Sequence, residues 1–411
     1  MNKSETESDA LEEQLSSVDE LVSSTSPKYP LYCVRPKTII QLCHRFIDAF
    51  KGTVLYAVKC NADPYVLDSI WKAGVCNFDC ASIGEIQLVK KRFPLANTHF
   101  LNPIKSKEDI KEAYCDFNVQ SFSLDSIEEL TNIMDIVNIG NHEKSTNLTL
   151  LIRLALPDEN REKLCLYPLN GKLGVEGIEA SANLLKLARN VADRLGICFH
   201  VGSQCTEPTV FTNTLKYVSE VIKKADVSLD IIDVGGGFPA TYPHSHPPPL
   251  TAYMAAIDEG CSYLPSTLTQ NLELWSEPGR ALVAEGCSLV VRVLHRRSNR
   301  DVLHINDGTY GNLRITGSVT RWQFPVRLLR NTASDLIPFK IFGPTCDTVD
   351  SVHCPFLLPA DTHPDDYIEI GQFGAYNKET STGFNGYNRT EVHRVRDLPI
   401  PISSSIPLNS T

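Results

Sequence analysis

Val54-Leu55-Tyr56-Ala57-Val58-Lys59-Cys60-Asn61 (residues 54–61) runs from apolar, strand-favouring residues into a lysine and then a polar turn. This pattern reads as a fully buried strand. An ammonium at the end of such a strand needs a reason, because it resists burial unless paired or neutralised. One reason is a side chain that snorkels to solvent. The other is a lysine with a lowered pKa that bonds an aldehyde. The remainder of the chain decides between them.

Outward from residue 53 the pattern alternates. Strand-like runs fall near 53–58, 77–80, 98–101, 119–124, 147–156, 197–201, 229–234 and 272–276. Helix-like stretches lie between most of them, near 64–74, 83–93, 106–117, 126–138, 177–195, 207–226 and 249–264. In the stretch 177–195, Leu184, Ala188, Val191 and Leu195 share one helical face. Eight strands with intervening helices match a (β/α)8 barrel; a doubly wound open sheet, the rival, usually has fewer strands. Beyond about 285 the helical period gives way to short strand runs separated by turns such as Asp307-Gly308, the mark of a mainly β domain. The expected organisation is a disordered acidic arm at 1–27, a (β/α)8 TIM-type barrel at 28–280 and a C-terminal β domain at 281–411. The strand at 31–34 has no place in the barrel count and is expected to join the β domain.

Catalytic groups of such a barrel collect at the C-terminal ends of its strands. Those ends carry Lys59, Asp79, Arg153, His200, Gly235-Gly236-Gly237 and Glu277. Each has a structural alternative: Arg153 an ion-pair partner, His200 a hydrogen-bonded core histidine, Glu277 a surface acid. Together they have one chemical sense. The glycines allow close backbone approach and present N–H groups to an anion, without the ending of a nucleotide P-loop. Arg280, three residues after Glu277, can grip the same phosphate. A carboxylate can keep a pyridine nitrogen protonated.

Tyr-Ala-Val-Lys-Cys-Asn (56–61), Phe-Asp-Cys-Ala-Ser (78–82), Phe-His-Val-Gly-Ser (199–203), Asp-Val-Gly-Gly-Gly-Phe-Pro (233–239), Glu-Pro-Gly-Arg (277–280), Phe-Gly-Pro-Thr-Cys-Asp (342–347), Gly-Ala-Tyr (374–376) and Phe-Asn-Gly (384–386) resemble the ornithine/diaminopimelate/arginine decarboxylase family. The branch most similar is that of ornithine decarboxylases and bacterial lysine/ornithine decarboxylases. The resemblance runs from about 30 to 395 and implies the alanine racemase-like fold type III, with pyridoxal 5'-phosphate as cofactor. It implies that Lys59 anchors the cofactor aldehyde, His200 stacks on the ring and Glu277 pairs with its nitrogen. Ser203, Gly235, Gly236, Gly237, Arg280 and Tyr376 would hold the phosphate, with Asp79, Arg153 and Gly279 completing the cofactor site. Cys346 would protonate Cα after carbon dioxide leaves, and Asp347 and Tyr310 would contact substrate. In the family, Cys346 and Asp347 reach into the neighbouring barrel, which implies a homodimer with shared sites.

The turn Asp307-Gly308-Thr309-Tyr310-Gly311 departs from that pattern. Enzymes for basic diamino acids usually carry a second acid after it, and here no acid lies from Gly308 through Arg330. Ile315 or a neighbour takes the expected place, and Arg314 stands nearby. Ornithine decarboxylation to putrescine is the favoured expectation. Lysine, a modified or less basic amino acid, or an inactive regulator are the alternatives.

The bulk numbers fit. A net charge of -10 argues against a nucleic-acid binder. No apolar run approaches the ~20 residues that span a bilayer. The N-terminus shows no secretory signal, so a cytoplasmic enzyme is expected. The 13 cysteines are scattered and lack zinc-site spacing, so reduced thiols and no metal are expected.

Overall fold

The computed structural model describes residues 15–140, 147–157, 165–167, 172–243, 245–298, 300–317 and 322–402. In chain order the first strands are β1 (Leu31–Val34), β2 (Thr53–Ala57), β3 (Asn77–Cys80), β4 (Asn97–Phe100), β5 (Ser121–Leu124), β6 (Thr149–Arg153), β7 (Cys165–Tyr167), β8 (Arg194–Cys198) and β9 (Ser203–Cys205). They are followed by β10 (Ile231–Asp233), β11 (Glu273–Ser276), β12 (Cys287–Arg296), β13 (Val302–Ile305), β14 (Val326–Leu328), β15 (Leu336–Phe342), β16 (Phe356–Pro359), β17 (Tyr367–Ile370) and β18 (Glu391–Arg394).

Strands β2, β3, β4, β5, β6, β8, β10 and β11 close into a parallel barrel, with β11 returning to β2. A parallel strand inside a helical jacket is buried on both faces, and so reads as an unbroken apolar run. Leu55, Tyr56, Ala57 and Val58 are all buried. The second body is an antiparallel-rich sheet in the order β14-β17-β12-β13-β15-β16. Strand β1 pairs with β12 and β18 in this sheet, not with the barrel.

Two expectations change. Val18–Thr25, placed in a disordered arm by its composition, is a helix. Ser17 and Glu20 close a capping box on it, and its Val18 and Val22 pack with Leu31, Cys33 and Val290. Ion pairs from Asp19 to Arg327 and from Glu20 to Arg396 bind it to the β domain; residues 1–14 lie outside the described part. The helix placed at 177–195 ends at Arg189, and Leu195 is buried in strand β8. Apolar spacing continued across the short turn 190–193 and mimicked a longer helix. A further helix, Pro36–Ala49, precedes the barrel and buries Ile39, Leu42, Cys43 and Phe46.

Arg35 ties the β domain together at the point where the chain leaves β1. It stands between β1 and that helix with only 2% of its surface exposed, and bonds the wholly buried Glu369 at 2.7 Å. Ser288 and Asp397 take its other N–H groups, and Arg327 holds the second Glu369 oxygen. Removing one member of a buried pair strands the other charge, which costs about 3–5 kcal/mol. Arg35→Ala is therefore expected to lower the urea midpoint by that equivalent, and an unchanged midpoint would count against the network.

Candidate active site

The C-terminal mouth of the barrel gathers the strand-end residues. Lys59 sits in a single 3-10 turn, Val58–Cys60, directly after β2. Its Nζ lies 2.6 Å from Asp79 Oδ2, at the end of β3. Burial works to lower the lysine pKa, but Asp79, with Glu277 behind it, outweighs that and holds it up. The lowered pKa expected from the sequence is thus reversed: a carboxylate at contact distance wins over desolvation. The nitrogen must give up a proton before it attacks an aldehyde.

His200 follows β8, and its Nδ1 accepts the Gly202 N–H at 2.9 Å. Burial, reinforced by Arg153 and Lys59, depresses its pKa well below the usual value, so its ring is neutral and flat. Gly235 and Gly237 have φ of +68° and +93°, which disfavour any side chain. A Cβ on Gly236 would come within 2.8 Å of the Glu277 carbonyl and 3.1 Å of His200 Nε2, so the turn is pressed against the ring wall. Gly279 is equally confined, against Cys60.

Arg280 is buried beside this turn. It donates to the Tyr242 hydroxyl at 2.9 Å and to Ser203 Oγ at 3.3 Å, while its buried Nε has no partner. Its guanidinium lies over the rings of Trp322 and Tyr376, 4.6 and 5.2 Å from their centroids. Tyr376 reaches the barrel from the β-domain side, where its N–H bonds the Cys60 carbonyl at 2.9 Å. Glu277 is 4% exposed and its Oε1 has no partner. Arg153 ends β6, and its charge acts on Glu277, Asp233 and His200.

These features fit pyridoxal phosphate. A glycine cradle and a buried arginine with a spare N–H suit an anion. A buried carboxyl with an unfilled oxygen suits a ring nitrogen, and a lysine at the floor suits an aldehyde.

The loop residues form a second cluster. Cys346 is exposed, with Sγ 3.5 Å from Asn385 Oδ1. Tyr310 donates its hydroxyl to Asp347, and its ring packs on Phe384 with centroids 4.5 Å apart. The buried Asp350 ties the two loops together by accepting the N–H groups of Thr309 and Thr345 at 2.7 and 3.0 Å. The described contacts join neither Cys346 nor Asp347 to Lys59. Arg314 is exposed and Ile315 buried; the hydrogen bond to Asp347 holds the Tyr310 pKa above its usual value, with Arg314 opposing it. Residues 318–321, part of the acid-free stretch, lie outside the described residues.

Residues 36–284 match the family described as pyridoxal-dependent decarboxylase, pyridoxal binding domain. The chain belongs to this family. Its cofactor is therefore pyridoxal phosphate, and its reaction class is amino-acid decarboxylation. Ornithine decarboxylase of Caenorhabditis elegans is 30% identical over 355 residues, 81% of this chain and 79% of that protein. Antizyme inhibitor 2 of Xenopus laevis is 27% identical over 90% of this chain and 82% of that one. A lysine/ornithine decarboxylase from Vibrio vulnificus, solved with putrescine, superposes with a TM-score of 0.75 at 26% identity, over 93% of this chain and 99% of that one.

The motifs missed several neighbours of the site. Tyr242 and Trp322, which bracket Arg280, come from loops with no local signature. Asp350 is one acid among many. Glu85, which accepts the Ala81 N–H at 2.6 Å, is pushed by burial up to about 7, with Asp79 adding to the effect. The folded state then binds a proton at Glu85 between its ordinary 4.5 and about 7, where the unfolded chain does not. Stability falls as pH rises through that window. In Glu85→Gln the decline with pH is expected to flatten, as read by urea unfolding; an unaltered slope would contradict this.

Proposed function

We propose that this decarboxylase acts on a basic amino acid, with L-ornithine as the favoured substrate and putrescine as the product. The observation that carries the substrate reading is Asp347, an acid held by Tyr310 beside the exposed Cys346, ready to meet a distal ammonium. Similarity to an ornithine decarboxylase and to a lysine/ornithine decarboxylase supports the same class.

Bound pyridoxal phosphate supplies the sink for the electrons left at Cα when carbon dioxide departs. Lys59 would anchor its aldehyde and give way to the substrate amine. Asp79 keeps the Lys59 nitrogen in place between these events. The neutral His200 ring and the glycine turn would wall the ring on one side and so orient the substrate bonded to it. Arg280, with Ser203 and Tyr376, would hold the phosphate. Cys346 Sγ would give a proton to Cα, and Lys59 would release the amine.

Cys346 is exposed and Asp347 half-buried, on a loop that also carries the exposed Val349, with the exposed Phe384 packed on Tyr310. In a homodimer each subunit would complete the other's site, and we assign the protein to that state, in the cytoplasm. No helix among the described residues is long and apolar enough to cross a membrane.

Likeness to an antizyme inhibitor raises the reading of a non-catalytic regulator. The paired Lys59, the confined glycines and the unfilled Glu277 and Arg280 atoms favour a working enzyme.

The test is carbon dioxide release from ornithine, lysine, arginine, diaminopimelate and less basic amino acids, as both stereoisomers. Ornithine or lysine is expected to lead. One missing charge contact is worth about 1.5–3 kcal/mol of discrimination, so the margin depends on Asp347. A best substrate without a distal amine would overturn the reading and point to Arg314 and its neighbours.

A further inference from the structure

Strands β10 and β11 lie side by side, with Asp233 in register with Trp275. The backbone continues the pairing beyond the strands, from Glu277 N–H to the Gly235 carbonyl at 2.8 Å. Asp233 and Glu277 therefore enter the same floor of the barrel mouth from neighbouring strands. Both are buried, at 0% and 4% exposure. Asp233 Oδ1 accepts the Gly235 N–H at 2.8 Å, the first residue of the glycine turn. Asp233 Oδ2 and Glu277 Oε1 are both buried without a hydrogen-bond partner.

Two adjacent buried carboxylates cannot both ionise cheaply, and an unfilled buried acceptor is costly. A shared proton resolves both difficulties. We propose that Asp233 and Glu277 hold one proton between them, and that Asp233 is the positioning residue that keeps it on Glu277 until a ring nitrogen takes it. Because Asp233 also holds the Gly235 N–H, the proton pair and the phosphate cradle share one anchor.

The surrounding charges agree. Burial and then Asp233 drive the Glu277 pKa well up, and Asp79 from β3 adds to this. Lys59 after β2 and Arg153 at the end of β6 pull it back without reversing the direction. Burial lifts Asp233 to about 6, while the Gly235 N–H and Glu277 hold it down. His200, after β8, is neutral and supplies no charge. Asp233 is thus the anion and Glu277 the acid. When the cofactor seats, the proton leaves Glu277 for the ring nitrogen, and the resulting carboxylate faces the pyridinium it made.

This inference rests on the cofactor assignment and is independent of the substrate. The test is infrared difference spectroscopy of the full chain, freed of cofactor and then reloaded with pyridoxal phosphate. The wild type is expected to show the carbonyl band of one buried carboxylic acid, lost on reloading and absent in Glu277→Gln. Asp233→Asn keeps an acceptor for Gly235 but turns an N–H donor toward Glu277, so Glu277 should be ionised and the band absent. Calorimetry in buffers of different ionisation heat should then show about one more proton taken up by Asp233→Asn on cofactor binding than by the wild type. A band that survives in Asp233→Asn, or a wild type without one, overturns the proposal. If that variant does not fold, the number of acid bands lost between wild type and Glu277→Gln decides: one sustains the proposal, none overturns it. A chain that bound no pyridoxal phosphate would defeat the functional reading while leaving the cofactor-free band intact.

Discussion

Lys59→Ala is expected to lose decarboxylation by on the order of 10³-fold or more, because it removes the side chain proposed to anchor the cofactor aldehyde and to release the product amine. The loss should fall mainly on kcat, since Lys59 makes no family-implied contact with the distal end of the substrate. The same variant relieves the Asp79 carboxylate of its partner at 2.6 Å. Asp79 is then a buried, unpaired acid, so pyridoxal phosphate should also bind more weakly. Gly236→Val provides a contrast. Its side chain would meet the Glu277 carbonyl and the His200 ring, so cofactor binding should fail while Lys59 stays in place. Steady-state rates and equilibrium dialysis of the cofactor separate the two. A Lys59→Ala enzyme with wild-type kcat would mean that Lys59 is not the cofactor anchor.

Cys346→Ala carries the second large effect. The exposed thiol lies outside the Lys59 cluster of its own chain, yet it is the group assigned to return a proton to Cα. General acid catalysis contributes about 10²–10⁴-fold, and a loss of that size is expected. The informative experiment mixes Lys59→Ala and Cys346→Ala subunits, each nearly inactive alone. If each site takes its lysine from one chain and its cysteine from the other, half of the dimers formed on equal mixing are hybrids. Each hybrid holds one intact site, so roughly a quarter of wild-type activity should return. No recovery from a subunit mixture shown to exchange would mean that both residues serve the same chain's site.

The barrel was legible because its physics is repetitive. Buried parallel strands are apolar throughout and end abruptly in polar residues, so Lys59, Asp79, Arg153, His200 and Glu277 stood out by position alone. The glycine turn was legible for a different reason: two positive φ angles and a close backbone approach admit no side chain. What escaped depended on distant contacts. The helix Val18–Thr25 has only two buried residues, and its acidic composition hid the Ser17–Glu20 cap. Leu195 continued a helical spacing although its burial comes from β8. The sign of the Lys59 shift was missed because no sequence shows that an acid 20 positions away lies against it. The rings of Tyr242 and Trp322 meet Arg280 only once loops from both bodies are folded together.

The most direct measurement is hydride reduction of the protein loaded with pyridoxal phosphate, followed by peptide mass mapping. The cofactor mass should become fixed to a single lysine, Lys59, in the peptide that contains Tyr56-Ala57-Val58-Lys59-Cys60-Asn61. Fixation to any other lysine, or none in a protein that nevertheless decarboxylates amino acids, would contradict that assignment.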